Sequence, residues 1–479
     1  MSYDGKSPMF KKKIKAKKMF WDRIRVIGFC GILLVFFVIG LLFFMRPDKS
    51  VMEKRKLAEF PSVKAETVAN GEYFNELSTW YADTYPMRES MISFNSKLKN
   101  MYGLHGNELH GDVAANVDEI PDADDSGKAP TIAPVITTEA GKDDKGKDDK
   151  KASSSDAAKK ETTEEEGYNV KDPEHGKDGT LTGKGEEAGT VYISGGKAFN
   201  VYYFGQDNAD YYASVINTIA TKIPKGVKFT EMLVPTAFGV YLGENIQKDL
   251  GGSDQGKAID YMYGMMSEDI NKVKVMDILK DHNAEYLYFN TDHHWTPLGA
   301  YYAYYRWCQS REIVPHTLDQ FETVEYPDFL GTFYAASGQS ETLRQNADTI
   351  IAYIPMGTNE CTFIEGGMEI PWNVVYDVSD YPDSGKYSCF IGADNELCTI
   401  VNPKIKDGSA CLLIKESYGN AFAPFLVDHF EKTFVVDYRY SSKNLVDFIK
   451  QEGIDEVIIL NNMEAITSEH SNQMLYLFP

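Results

Sequence analysis

Thr291-Asp292-His293-His294-Trp295-Thr296-Pro297 is the stretch that decides how this chain folds and where its chemistry lies. It follows a β-forming run at 285–289 and leads into a helix. Thr296 suits an N-cap, because its hydroxyl can accept from an unpaired backbone N–H. Pro297 suits the first helical position, where no amide hydrogen bond is lost. An Asp two residues before a His, both at the end of a strand, can orient an imidazole. The matching piece lies further along. Ala410-Cys411-Leu412-Leu413-Ile414 is a second apolar run, Ser417 stands just beyond it, and an apolar helical pattern begins near Asn420. A serine on a sharp strand-to-helix turn sits where backbone N–H groups and the helix dipole can stabilise an oxyanion. Ser417, His294 and Asp292 are therefore candidates for a nucleophile, its general base and the group that orients the base.

The rest of the C-terminal half fits an α/β sheet flanked by helices. Val191-Tyr192-Ile193 and Val201-Tyr202-Tyr203-Phe204 flank Gly195-Gly196 and read as a hairpin. Strands are expected at 228–234, 273–276 and 285–289, with helices at about 254–271 and 297–310. Residues 320–405, punctuated by Gly, Pro and Asp, read as an inserted β-rich section. Strands at 410–414, 433–437 and 456–460 follow, each leading into a helix. In such folds the ligand site lies at the carboxyl ends of the strands. His294, Ser417, Arg439 and Asn462 all fall at such ends in this reading.

A chain of 479 residues holds one large domain or two ordinary ones, and 13% aromatic content with 30 Tyr implies a substantial packed core. The net charge of −22 is unevenly spread: residues 1–25 carry nine Lys/Arg against Asp4 and Asp22. The acidic bulk excludes nucleic acid as its partner. Residues 26–45 form a run of 20 without a charge, about 30 Å as a helix. No small-residue cleavage site follows it, so it reads as a retained signal anchor behind a basic cytoplasmic tail. That orientation puts 46–479 outside a single-pass membrane anchor, although five Lys/Arg from Arg46 to Lys56 reduce the charge bias. In the juxtamembrane segment 46–110, apolar positions 73, 74, 77, 80 and 81 match a helical period.

Residues 111–188 change character, with two copies of Gly-Lys-Asp-Asp-Lys, then Ser153-Ser154-Ser155 and Glu164-Glu165-Glu166. This acidic insert is expected to be disordered, as a cell-wall spacer or a tolerated insertion. From 189 to 479 the pattern is globular. Of six Cys, Cys30 lies in the apolar span, and the other five match no metal knuckle or dense disulfide framework. Cys389 and Cys398 pairing across a hairpin competes with buried free thiols.

On pattern alone, His294 could be a structural histidine and Ser417 a helix cap. A metal at Asp292-His293-His294 is the other sharp reading, but adjacent residues seldom converge on one ion and no further ligand spacing supports it. No metal or cofactor is expected. The Asp292-His293-His294-Trp295 string resembles the signature of the DHHW family. It is similar to the Asp-x-His-Trp string of the alginate O-acetylation proteins, whose SGNH-hydrolase-like domains use a Ser-His-Asp triad. Other pieces agree in order: Asp83-Thr84-Tyr85-Pro86-Met87-Arg88-Glu89, Val234-Pro235-Thr236, Phe329-Leu330-Gly331-Thr332-Phe333-Tyr334 and Lys415-Glu416-Ser417-Tyr418-Gly419-Asn420. The resemblance covers 50–110 and 190–479 and leaves out the acidic insert.

The resemblance implies an SGNH-hydrolase-like domain with Ser417 as nucleophile, His294 as base and Asp292 as its partner. It further implies Asn461 as an oxyanion donor, with Arg439 and Tyr418 as oxyanion or substrate contacts. Two departures from ordinary SGNH hydrolases stand out: Asp and His precede Ser, and Lys415-Glu416-Ser417 replaces Gly-Asp-Ser. The implied activity is acetyl transfer to, or removal from, a cell-surface polysaccharide or cell-wall glycan outside the membrane. The implied partner is a membrane-bound O-acyltransferase. The alternative is a non-catalytic polysaccharide-binding or assembly protein that keeps the fold and stacks tyrosines on sugar rings.

Overall fold

A computed structural model of the chain describes residues 46, 49–50, 55–56, 58–63, 72–85, 118–121, 127–132, 173–365 and 367–479. The chain divides into two units, 1–106 and 107–479. The apolar span 26–45 lies outside the described residues, as do residues 86–89 of the Asp83 motif. Among the described residues no helix is long and apolar enough to cross a membrane.

In the first unit, β1 (Lys49–Ser50) pairs antiparallel with β2 (Arg55–Lys56). Helix α1 (Glu72–Asp83) forms where the apolar spacing predicts one. Its buried Trp80 meets Phe60 edge-on at 4.7 Å and carries the Arg46 guanidinium over its ring at 3.9 Å.

The second unit is built on an eight-stranded mixed sheet, in the order 368–373, 360–365, 398–401, 432–437, 410–415, 456–462, 228–234 and 271–272. Five strands run parallel: β6 (Lys228–Val234), β7 (Asn271–Lys272), β13 (Ala410–Lys415), β14 (Lys432–Asp437) and β15 (Glu456–Asn462). Every residue of β13 and β15 is buried, as expected of parallel strands covered on both faces. Helices α2 (Gln206–Lys222), α3 (Gln255–Met265), α4 (Pro297–Ser310), α6 (Tyr418–Leu426), α7 (Leu445–Glu452) and α8 (Ser468–Tyr476) complete the α/β architecture. Between α4 and α6 lies the short helix α5 (Thr332–Ala336).

The β-rich section is not a separate insertion. Strands β10 (Glu360–Glu365), β11 (Met368–Asn373) and β12 (Cys398–Val401) extend the main sheet antiparallel through β14. Only β8 (Glu322–Phe329) and β9 (Asp348–Ile354) form their own antiparallel pair. The expected strand at 273–276 is also corrected: pairing with β6 falls on Asn271–Lys272, and α3 ends at Met265 to make room for it.

The hairpin at Gly195-Gly196 forms between β4 (Val191–Ser194) and β5 (Lys197–Phe199), so its second strand lies earlier than 201–204. Both glycines have positive φ, 59° and 78°, which lets a two-residue turn match the strand twist. β3 (Glu186–Ala188) adds a third strand to this hairpin.

β3 lies inside the segment expected to be disordered, and it is not the only ordered part. Ile120, Ala129 and Ile132 pack on the core, and Ala129 N–H donates to Met265 O at 2.9 Å. Leu181 N–H donates to Tyr241 O at 2.7 Å, and Leu181 O accepts from Gly243 N–H at 3.0 Å. The boundaries 111–188 were therefore too wide. A few isolated apolar residues find grooves there, which an average over a charged stretch conceals. The five cysteines of this unit are free and buried, so Cys389 and Cys398 do not pair.

Candidate active site

Ser417 stands where β13 turns into α6. The turn is tight: Gly419 packs against Lys415, and a Cβ there would lie 2.4 Å from the Lys415 Cβ. Only glycine allows the helix to fold back over the strand this closely. Ser417 is buried, with 9% of its surface exposed.

Asp292 and His294 arrive differently. Residues 285–289 form no strand; a single bridge, Tyr288 to Trp295, is all the pairing this segment has. Leu287 and Tyr288 N–H donate to the Tyr241 hydroxyl at 2.8 and 3.3 Å, and the Asp348 carboxylate of β9 takes the next donors along the chain. It accepts from Asn290 N–H at 2.7 Å, Thr291 N–H at 2.8 Å, the Thr291 hydroxyl at 2.5 Å and the Tyr286 hydroxyl. The loop is therefore pinned by a side chain rather than by a ladder. Burial pushes Asp348 up, against these hydrogen bonds.

The next cradle is the 329–334 motif. Thr332 at the start of α5 donates to Asp292 Oδ2 from its N–H at 2.7 Å and its hydroxyl at 3.1 Å. Gly331 lies against the same carboxylate, where a Cβ would stand 2.2 Å from Asp292 Oδ2. Two further bonds tie the loop to the serine turn: Trp295 Nε1–H to Tyr418 O at 2.9 Å, and Tyr418 O–H to His293 O at 2.5 Å.

These supports bring the three side chains into one line. His294 Nδ1 lies 2.5 Å from Asp292 Oδ1, and His294 Nε2 lies 2.7 Å from Ser417 Oγ. Tyr387 stacks flat on the His294 ring, with centroids 3.9 Å apart and planes 13° apart, and its hydroxyl donates to Ser417 O at 3.0 Å. Burial would push Asp292 up, but the His294 and His293 rings and the Thr332 N–H hold it well below the usual carboxylate range. An anionic Asp292 fixes the tautomer with the proton on Nδ1, which leaves the Nε2 lone pair facing the serine hydroxyl. This arrangement can move a proton from Ser417 to His294 while Asp292 balances the imidazolium.

His293 stands to the side, its side chain 29% exposed and its Nδ1 2.7 Å from the Thr332 hydroxyl. Burial and the His294 ring hold it below the usual histidine range. Asp292, His293 and His294 bring ligand atoms within 4.8 Å of one another. Yet Asp292 and His294 already spend those atoms on each other, Thr332 and Ser417, so the set is better matched to a proton relay than to an ion.

The model of the DHHW protein family matches residues 53–436. The chain belongs to the DHHW family. A DHHW family protein from Eubacterium siraeum DSM 15702 is 30% identical with TM-score 0.54, covering 60% of this chain and 96% of that one. Bacillus cereus PatB1 with a sulfonyl adduct is 16% identical with TM-score 0.50, covering 60% of this chain and all of the other, a likeness of fold. Pseudomonas aeruginosa AlgX is 16% identical, covering 59% of this chain and 64% of that one, at a TM-score of 0.32 that is too low to bear on the site. No curated protein matches the chain by sequence.

Two of the remaining candidates of this DHHW domain, Asn461 and Arg439, are placed otherwise than expected. Asn461 is fully buried and faces the core: its Oδ1 accepts from the Tyr438 hydroxyl at 2.8 Å, and its Nδ2 donates to Tyr212 Oη at 3.0 Å. It is not aimed at Ser417, because its strand position points it under the sheet, beside Glu231 and Tyr212. Arg439 is clamped to Asp437 through Nε at 2.9 Å and Nη2 at 2.7 Å, and to Asp394 at 3.0 Å. Lys415 joins the cluster, 2.8 Å from Asp437 and 3.2 Å from Asp394. Burial works against both cations, but the two carboxylates keep each firmly charged. Arg439 thus braces the ends of β13 and β14 rather than standing free for a substrate.

Tyr418 contributes its hydroxyl to the loop and its backbone N–H to Glu416. The sequence reading did not single out Glu416, Tyr387, Asp348, Gly331 or Thr332 as site residues. Gly331 and Thr332 lay within a quoted motif, and Glu416 stands where Gly-Asp-Ser has its Asp. Nothing local in the sequence marks Tyr387 or Asp348.

Proposed function

We propose that this protein is an O-acyl-transferring enzyme of the cell envelope, an O-acetyltransferase or acetylesterase acting on a polysaccharide or cell-wall glycan. The observation that carries the reading is the His294 ring held between Asp292 and Ser417 at 2.5 and 2.7 Å. In the proposed reaction Ser417 Oγ attacks the acyl carbonyl carbon and its proton passes to His294 Nε2. The bond to the leaving oxygen then breaks, that oxygen takes the proton from His294, and an acyl-Ser417 remains. A sugar hydroxyl or water attacks the acyl carbon next, giving its proton to His294; the bond from that carbon to Ser417 Oγ then breaks as His294 returns the proton to Oγ. A sugar acceptor makes the protein a transferase, and water makes it an esterase.

The anchor at 26–45, the extracellular placement of the domain and a membrane-bound O-acyltransferase as acyl supplier belong to the same proposal. The basic tail and uncharged span support the first two. The test uses a chromogenic acetyl ester with the purified protein and mass spectrometry of the trapped intermediate. Acetyl on Ser417, with Ser417→Ala inert, is the expected result. Full turnover by Ser417→Ala would remove Ser417 as the nucleophile, and a wild type that neither turns over nor takes the label would leave the non-catalytic, polysaccharide-binding reading in its place.

A further inference from the structure

Acyl transfer develops negative charge on the carbonyl oxygen, which needs N–H donors about 3 Å from its position, close to the serine oxygen. The Asn461 side chain does not supply them, since its amide is spent in the core. Two backbone N–H groups do converge on one side chain next to Ser417. One belongs to Tyr418, the first residue of α6, and the other to Asn462, at the end of β15. Both are engaged by one side chain, Glu416. Its Oε2 accepts from Tyr418 N–H at 3.1 Å and lies 3.2 Å from Ser417 Oγ; its Oε1 accepts from Asn462 N–H at 3.1 Å. Glu416 is only 3% exposed.

The place of Glu416 Oε2, one donor distance from Tyr418 N–H and just over 3 Å from the nucleophile, is where an acyl carbonyl oxygen would have to sit. A carboxylate remaining there would face the developing charge, a like-charge contact that opposes the reaction. The half-buried Glu464 adds to the crowding: partial burial, then the charge of Glu416, push its carboxyl up, against its bond from Asn200. Resting on the acyl-transfer reading, we propose that the Tyr418 and Asn462 N–H groups are the oxyanion donors. Glu416 is their resident occupant and is displaced when the acyl carbonyl enters. Ser417 Oγ–H then loses its second acceptor and is left to His294 alone. Acylation thus includes a conformational step, and acyl donors compete with a built-in carboxylate.

The probe is an aryl sulfonyl fluoride, whose sulfonyl oxygens mimic the oxyanion once sulfur is bonded to Ser417 Oγ and fluoride has left. Glu416→Ala should be sulfonylated at least tenfold faster than the wild type, with Glu416→Gln in between. A folded Glu416→Ala, judged by circular dichroism, that reacts no faster than the wild type overturns the proposal. The crystal structure of the wild-type adduct decides the matter whether or not the variants fold. A sulfonyl oxygen on Tyr418 N–H with Glu416 turned away is expected. Glu416 still bonded to Tyr418 N–H and Asn462 N–H in that adduct overturns the proposal while leaving Ser417 as nucleophile. Labelling that persists in Ser417→Ala overturns the acyl-transfer reading itself, and the assignment of Glu416 falls with it.

Discussion

Ser417 reaches its place on a strand and a helix, whereas Asp292 and His294 reach theirs on a loop that no strand supports. On the serine side the backbone does the positioning: β13 is paired on both edges, and Gly419 lets α6 pack back over it. On the other side four side-chain and backbone devices from distant segments hold the loop. They are Asp348 under residues 290–291, Gly331 and Thr332 around Asp292, the Tyr387 ring under His294, and the Trp295–Tyr418 bond. A site half scaffolded and half pinned should be fragile on the pinned half, where single atoms replace a whole ladder.

The largest expected effect falls on the carboxylate itself. Asp292→Asn should lower kcat on an acetyl ester by about 10⁴-fold, by favouring the wrong imidazole tautomer. His293→Ala should change it only a few-fold; equal losses at the two positions would mean that Asp292 does not serve His294. Gly331→Ala comes next, because its Cβ would overlap Asp292 and shift it. A misplacement on the order of 1 Å costs about 10²-fold in kcat, and steady-state kinetics with KM little altered would bear this out. A full-speed Gly331→Ala enzyme would show that the loop tolerates displacement.

Asp348→Asn sharpens the contrast further, since it keeps the shape but sets an amide N–H₂ against donors. Roughly a tenfold loss in kcat is expected from the loosened loop. Asp394→Asn on the serine side should cost clearly less, because β13 is held by its ladders. The reverse order, measured on both variants side by side, would mean that the charge cluster rather than the loop limits the site.

The smallest effect concerns stability alone. Burial lifts Glu231 to about 8, against its bond from Tyr212. A carboxyl raised on folding gives stability that is fully present below its unfolded range and lost as pH rises through about 8. The melting temperature should therefore fall by several degrees between pH 6 and 9, and Glu231→Gln should flatten that slope. An unchanged slope in calorimetry would remove Glu231 from the account.

The same contrast explains what could be read from the chain beforehand. The parallel strands at 410–415, 432–437 and 456–462 are short continuous apolar runs, and Thr296-Pro297 is a local start signal, so these elements and the Ser417 turn were legible. The strand expected at 285–289 was not there, although its residues favour β structure. Leu287 and Tyr288 give their N–H groups to the Tyr241 hydroxyl, over 40 residues earlier, and no local pattern records that bond. Asn461 misled for a related reason. Its strand end was correctly placed, but a period of two puts Asn461 and Asn462 on opposite faces, and only the partners Tyr212 and Tyr438 decide which face holds the site.

The order of the strands also sets when the three side chains of the site can meet during the protein's manufacture. β6 pairs with β15, so Lys228 must wait for Glu456 before the parallel sheet closes. Asp292 and His294 emerge from the ribosome well before Ser417, and the strand that locks the serine strand in place emerges later still. Contacts this far apart in sequence make folding slow. A partly synthesised chain therefore carries Asp292 and His294 with no serine beside them, and the line from Asp292 through His294 to Ser417 is complete only once the final strand docks.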